Sequence, residues 1–407
     1  MDTGTIEIIQ NYEWDDVTNK GTYCFVNGYL SMRGAIACKR ELSRAICGAE
    51  SALEITFRVI LGKSYFINWE DSNGGVAFRC MIDEDGRIKF TAGEGKNIID
   101  TGLYLTFHQG IPFNNPKFRK SYTVISDEHV LKFREFDLQT GKVAVSLDHQ
   151  LPVEINLLYG GNVAFLRAVE LQTGPSAESA DFRLKSYREY FKTGLIAEDT
   201  FQLNWEAVPE TPWGTPYDNI TGSELRLKFN HWLEVTTGYG YVKTRIPVMR
   251  KGYVEFDLMT EDTEKESVFL IEEASEEIKN GVACCGIYHG KFCFFNEVPP
   301  VFSEIQYAQD IKPLPGKAYL FRIEWDCDLR FCVISIDGIP IRFGDRISQN
   351  ILRVPEKGVD TLTIHPGVYG CRLSELESRR SGSKKMIMPS LHKSYWGGFR
   401  IVQPTTF

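Results

Sequence analysis

The sequence predicts an all-β chain of two tandem antiparallel β-sandwiches of jelly-roll type, and three observations carry that prediction. Apolar and polar residues alternate over short stretches, most clearly where Tyr319, Phe321, Ile323 and Trp325 interleave with Leu320, Arg322 and Glu324. That is the period of two of a pleated strand with one apolar face. Asn-Gly, Asp-Gly and Gly-Lys pairs punctuate these stretches and mark hairpin turns. Finally, the pattern occurs twice. Glu135-Phe136-Asp137 and Ser146-Leu147-Asp148 match Glu324-Trp325-Asp326 and Ser335-Ile336-Asp337, each 189 positions later.

The 407 residues exceed one ordinary core and suit two. The predicted division is an N-terminal sandwich over 1–175, a connector over 176–200 and a C-terminal sandwich over 201–407. Taken in order, Asp15-Asp16-Val17-Thr18 and Asn27-Gly28-Tyr29-Leu30 open the first copy. Asp218-Asn219-Ile220-Thr221 and Asn230-His231-Trp232-Leu233 open the second, 203 positions on. Leu53-Glu54-Ile55-Thr56-Phe57 then matches Val254-Glu255-Phe256-Asp257-Leu258, and Gly75-Val76-Ala77 matches Gly281-Val282-Ala283. Each copy is expected to close on an Arg-containing strand, at Arg167 and at Arg400. The first copy then enters the small, polar run Gly174-Pro175-Ser176-Ala177, which has linker composition. Helical composition is tolerable only over 177–191 and 373–380, without a clean apolar stripe.

The chain is 43% apolar and 13% aromatic, enough for large cores. No apolar run approaches the roughly 20 residues of a membrane-spanning helix, so no membrane partner is expected. A formal charge of -8 and a pI near 5.6 argue against nucleic-acid partners, which select basic stripes. The one basic cluster, Arg379-Arg380 with Lys384-Lys385, reads as a solvated loop. The N-terminal residues carry no secretory pattern, which gives a cytoplasmic expectation. The ten cysteines, without Cys-x-x-Cys, then read as reduced and mostly buried. No His-x-His, His-Glu-x-x-His or Gly-x-Ser-x-Gly occurs, so no metal centre and no cofactor are expected, a structural calcium ion being the exception left open.

The residues Lys251-Gly252-Tyr253-Val254-Glu255-Phe256-Asp257, Tyr319–Trp325 with Val333–Gly338, and Trp396-Gly397-Gly398-Phe399-Arg400-Ile401 together resemble the concanavalin A-like, or laminin-G-like, β-sandwich. That superfamily includes family 16 glycoside hydrolases, polysaccharide lyases, the 3-keto-disaccharide hydrolase family and non-catalytic lectin modules. The resemblance implies a carbohydrate ligand. It makes a glycoside hydrolase or lyase acting on a small glycan or glycoside the leading expectation. A non-catalytic glycan-binding or assembly module, with the duplicated sandwich open to homo-oligomer formation, is the rival.

Within that frame, Glu255 and Asp257 lie two apart on one strand face, a spacing suited to paired acid and nucleophile work. The next carboxylate, Glu261, is six residues after Glu255, whereas the family 16 signature places it four or five on. A solvated strand face is the competing reading, and the first copy carries Glu54 and Thr56 there. Tyr288 and His289 end an apolar strand at a hairpin tip. Such a pair serves proton abstraction in sandwich lyases, although neighbours on a strand point to opposite faces.

His365 and Tyr369, then His392 and Trp396, bracket the largest difference between the copies. Asp148 to Arg167 spans 19 positions and Asp337 to Arg400 spans 63, a surplus of 44. These four are expected to line a pocket with Arg245, Glu255 or His289, Trp396 stacking on a sugar and a His carrying the proton. The alternative is an interdomain groove lined by His108 and Trp213, His108 falling in a first-copy loop with its own surplus of 17.

Overall fold

Strands are the only regular elements among the residues that the computed structural model describes, namely 6–10, 13–18, 22–93, 97–107, 111–112, 124–156, 165–174, 180–192, 194–209, 224–228, 232–236, 240–273, 280–295, 297–298, 301–302, 305–352, 354–366 and 392–403. No helix there is long and apolar enough to cross a membrane. The chain forms two compact units. The first comprises Tyr12–Phe201 with Leu227–His231, the second Gln202–Arg226 and Trp232–Phe407 with Met1–Asn11.

In the first unit one sheet runs, in spatial order, Ile98–Tyr104, Arg87–Ala92, Val76–Ile82, Tyr65–Asp71, Leu166–Thr173, Ala37–Ile46 and Asp15–Asp16. The other runs Val153–Asn156, Lys142–Leu147, His129–Asp137, Ser51–Val59, Asp181–Phe191, Tyr29–Arg33 and Thr22–Val26, with Gly194–Thr200 also on Asp181–Phe191. Alternate side chains of each strand meet those of the facing sheet: Trp69 lies 4.5 Å from Phe133 and Phe78 lies 6.1 Å from Phe136, ring centre to ring centre. This is a sandwich, closed by a dry aromatic core.

The second unit repeats the plan. One sheet passes from Trp232–Thr236 through Lys393–Gln403, Lys251–Thr260, Tyr319–Asp326 and Phe331–Ile336 to Ile339–Pro340. Its partner passes from Glu206–Pro209 through Gly240–Met249, Val359–Pro366, Ser267–Glu273, Asn280–Tyr288 and Lys291–Phe295 to Gln306–Tyr307. Phe256 stacks on Phe269 at 4.2 Å across the interior, and Trp325, matching Phe136, is fully buried.

Two repeated carboxylates explain why the sequence signal is so regular. Asp137 Oδ1 accepts the turn N–H groups of Gln139 and Thr140, and Asp326 Oδ1 accepts those of Asp328 and Leu329. Asp148 and Asp337 both sit at positive φ, 55° and 52°. Each exchanges hydrogen bonds with the neighbouring strand, at Val130 and at Leu320. A short acceptor that tolerates the left-handed region is what such hairpin turns need.

Three sequence expectations need correction. The closing strands are mismatched. Arg167 lies on Leu166–Thr173, whose counterpart by sheet position is Val359–Pro366, while Lys393–Gln403 corresponds to Asp181–Phe191. The surplus in the second copy therefore belongs to 367–392 against 174–180. Next, 176–200 holds two strands where a connector, with helical composition, was expected. A bulge between Leu184 and Ser186 breaks the period of two, so the buried residues Phe182, Leu184 and Tyr187 mimic helical spacing. Lastly, Ile6–Gln10 pairs with Lys393–Gln403, Ile6 opposite Gln403 and Gln10 opposite Phe399, and so belongs to the second unit.

Candidate functional site

The sequence-predicted residues do not gather at one place. Glu255 faces outward from its strand, opposite Arg322 on one side and Arg400 on the other, with contacts of 3.3 and 3.6 Å. Its counterpart Glu54 stands between Lys132 and Arg188 at 2.9 and 3.0 Å. Burial works to raise the Glu54 carboxyl, but the hydrogen bonds and charges of those two cations prevail and hold it below the ordinary carboxylate value. The two copies thus share a structural cross-strand ion-pair network. The acid and nucleophile expected of Glu255 and Asp257 are replaced by a paired carboxylate and by an Asp257 carboxyl that burial pushes up.

His392 and Trp396 point into the sandwich interior. His392 Nε2 lies 3.0 Å from Ser267 Oγ and 3.3 Å from Thr260 Oγ1, and burial pushes the imidazole down to about 4. Trp396 has no exposed surface and packs on Phe256 and Phe269 at 5.5 and 6.0 Å. It offers no ring to a ligand, because its strand parity turns it toward the core with Ser394, and the irregularity at Gly398 returns Phe399 to the same side.

His365 is buried on the opposite side of the Ser267–Glu273 strand, facing outward opposite Val268. That side also carries Val268, Leu270, Cys284, Tyr288, Cys293 and Phe295 as an apolar cluster. Pairing of Ser267 with both Pro366 and Ile287 puts Tyr288 level with Glu266 and leaves His365 opposite Val268, two residues along and one strand further over. Arg245 lies further along the same face and donates to Thr361 Oγ1 at 3.1 Å. His289 is exposed at the hairpin tip with φ 51°, followed by Gly290 at 66°. Those are the dihedrals of a type I′ turn, and they account for the pair without catalysis. Tyr369, Trp213 and His108 lie outside the described residues. Among those described, no three His, Cys, Asp or Glu side chains gather as a metal site.

A site that sequence reading missed lies on the outer face of the first unit. A groove of about 460 Å³ is lined by Ala52, Glu54, Lys132, Arg134, Glu135 and Tyr190, with Glu50 and Lys192 at its end. Ala52 pairs with Tyr190, and Arg134 pairs with Ala144. Two small side chains therefore leave space beside an aromatic ring and a guanidinium. Glu135 and Lys192 hold positive φ of 54° and 57°, Glu135 at the register shift between Arg134 and Asp137. Glu54 is tied up by its cations. Arg134, Lys192, Glu50 and Glu135 make no ion pair among the described residues.

The depth of the groove follows from one difference between the copies. With Glu54 matching Glu255, Ala52 matches Tyr253, whose ring lies 3.8 Å from the Arg322 guanidinium and 5.9 Å from that of Arg400. The corresponding surface of the second unit is filled by its own side chain. The only signal of this in the sequence is a small residue opposite a large one within the aligned repeat.

No family model and no curated protein matches the chain. Among solved structures it is similar to a sialidase at 11% identity and TM-score 0.33, over 82% of this chain but only 32% of the sialidase. It is also similar to domains LG4-5 of the mouse laminin alpha1 chain, at 12% identity and TM-score 0.29, over 94% of this chain and 89% of that one. A third similar structure is the potassium-bound carbohydrate recognition domain of Emp46p, at 13% identity and TM-score 0.28, over 44% and 88%.

Proposed function

We propose that this chain binds carbohydrate through the groove over Ala52. The observation that carries the reading is the composition of that groove: a half-buried Tyr190 ring beside the small Ala52, with Arg134, Glu135, Glu50 and Lys192 around it making no ion pair among the described residues. A sugar presents a flat apolar face and a ring of hydroxyls that both donate and accept. An aromatic wall takes the first, and mixed carboxylate, ammonium and guanidinium groups take the second. Calorimetric titration of the full chain with a panel of methyl glycosides and disaccharides tests this. Saturable binding that Tyr190→Ala weakens supports it, and binding indifferent to Tyr190 counts against it.

A processing reaction, hydrolytic or eliminative, is the second reading. It draws on the register that puts His365 opposite Val268, and Tyr288 level with Glu266 on the far side of the same strand, all on the second unit's outer face. A histidine and a phenol on two strands of one face, with a carboxylate at the strand between them, can serve as proton carriers to a substrate lying across that face. Loss of turnover in His365→Ala and Tyr288→Phe with unchanged sugar binding would favour it; full activity in both would remove it.

A further inference from the structure

The second unit carries, in the equivalent position, an internal occupant that shows what the groove accommodates. Tyr253 places a six-membered, hydroxylated ring against Arg322, with Arg400 beyond it, over the Glu255 network. In the first unit the same network is present as Lys132, Glu54 and Arg188. Ala52 leaves the ring's space vacant, and Tyr190 stands where the second unit has Val402. Building on the carbohydrate reading, we infer that the groove is a single-ring slot for one neutral pyranose, and that each chain has one such site because Tyr253 closes the other.

Neutrality follows from the charges at the groove. Lys132, Arg134 and Lys192 are balanced by Glu50, Glu54 and Glu135, so the lining offers hydrogen bonds without a field that selects an anion. Ring size follows from the strands. Tyr190 and Arg134 flank Ala52 from the two adjacent strands, about 10 Å apart at the backbone, which admits one ring lying over Ala52.

The test is calorimetric titration of the full chain and two variants, Ala52→Tyr and Tyr253→Ala, with methyl glycosides of neutral hexoses, with glucuronic and galacturonic acids, and with p-cresol as the tyrosine side-chain analogue. One equivalent of a neutral glycoside is expected for the native chain. Ala52→Tyr should bind at least about tenfold more weakly, and Tyr253→Ala should take up two equivalents. Two equivalents in the native chain, or undiminished binding in Ala52→Tyr, overturns the single-slot inference; tighter binding of the uronic acids overturns neutrality. If no sugar binds but p-cresol does, and Ala52→Tyr abolishes it, the slot stands and the carbohydrate reading falls. If neither binds, both fall. Should Ala52→Tyr fail to fold, the stoichiometry of Tyr253→Ala decides.

Discussion

Glu7 and Arg400 join the first and last described strands: Arg400 Nε donates to Glu7 Oε1 at 3.0 Å, and the same guanidinium reaches Glu255. The first unit has the corresponding chain of charges, with Arg188 bridging Glu54 and Glu198 on Gly194–Thr200. Ile6–Gln10 therefore fills, in the second sandwich, the place that Gly194–Thr200 fills in the first.

Removal of residues 1–10 is expected to destabilise the second unit and leave the first intact, which differential scanning calorimetry would register as the loss or lowering of one of two transitions. Within that strand Gln10 is fully buried, and its Oε1 accepts the Leu203 N–H at 2.6 Å. Gln10→Ala strands that donor and should cost about 1–3 kcal/mol. An unchanged urea midpoint would contradict the pairing.

His392 confers a pH dependence on the second unit. Its folded value, about 4, lies below the ordinary 6.5 because burial disfavours the imidazolium. The neutral form is the one the fold accepts. Its contribution is therefore complete above pH 6.5 and is lost as pH falls toward 4, by up to about 3 kcal/mol. Urea unfolding between pH 7 and pH 4 should show this slope, and His392→Gln should flatten it.

In the first unit Arg40 is buried between Asp199 and Glu189, and Trp14 Nε1 also donates to Asp199 at 3.0 Å. Arg40→Met leaves two carboxylates without their cation and should cost about 3–5 kcal/mol. Burial pushes the Asp199 carboxyl up against the pull of Arg40, with Glu13 and Glu189 adding to the rise. A raised carboxyl stabilises most below its unfolded value and loses that contribution as pH climbs. The first unit's unfolding free energy should accordingly decline toward neutral pH, and Asp199→Asn should remove the decline.

Trp396→Ala is expected to lower the stability of the second unit by about 3–5 kcal/mol through a core cavity, with sugar binding to the first unit unaffected. A selective loss of binding at constant melting temperature would restore Trp396 as a ligand platform.

The architecture was legible because its signals are local. Asp137, Asp148, Asp326 and Asp337 each serve a turn that only a few side chains can make, and alternation such as Tyr319-Leu320-Phe321 writes strand faces directly into the sequence. The match of Arg167 to Arg400 failed because an arginine among apolar residues marks any half-buried strand, and the bulge at Leu184–Ser186 disguised the true counterpart. The site was harder still. His365 and His392 sit near one another in the pattern of loops but on opposite sides of one sheet, a difference of strand parity that depends on pairing with Ser267 and Val268. The groove is defined by an absence of side chain at Ala52, which no motif announces.

Because Ile6–Gln10 pairs with Lys393–Gln403, the second sandwich cannot complete before Lys393–Gln403 has been synthesised. Closing so long a loop on its own would carry a large entropic cost and slow the search. The first sandwich shortens it. Once folded, it holds Trp14 against Asp199, so the flanks carrying Gln10 and Leu203 emerge side by side and the effective loop across the insertion shrinks to a few residues. The order of assembly is thus written into where one short strand was placed.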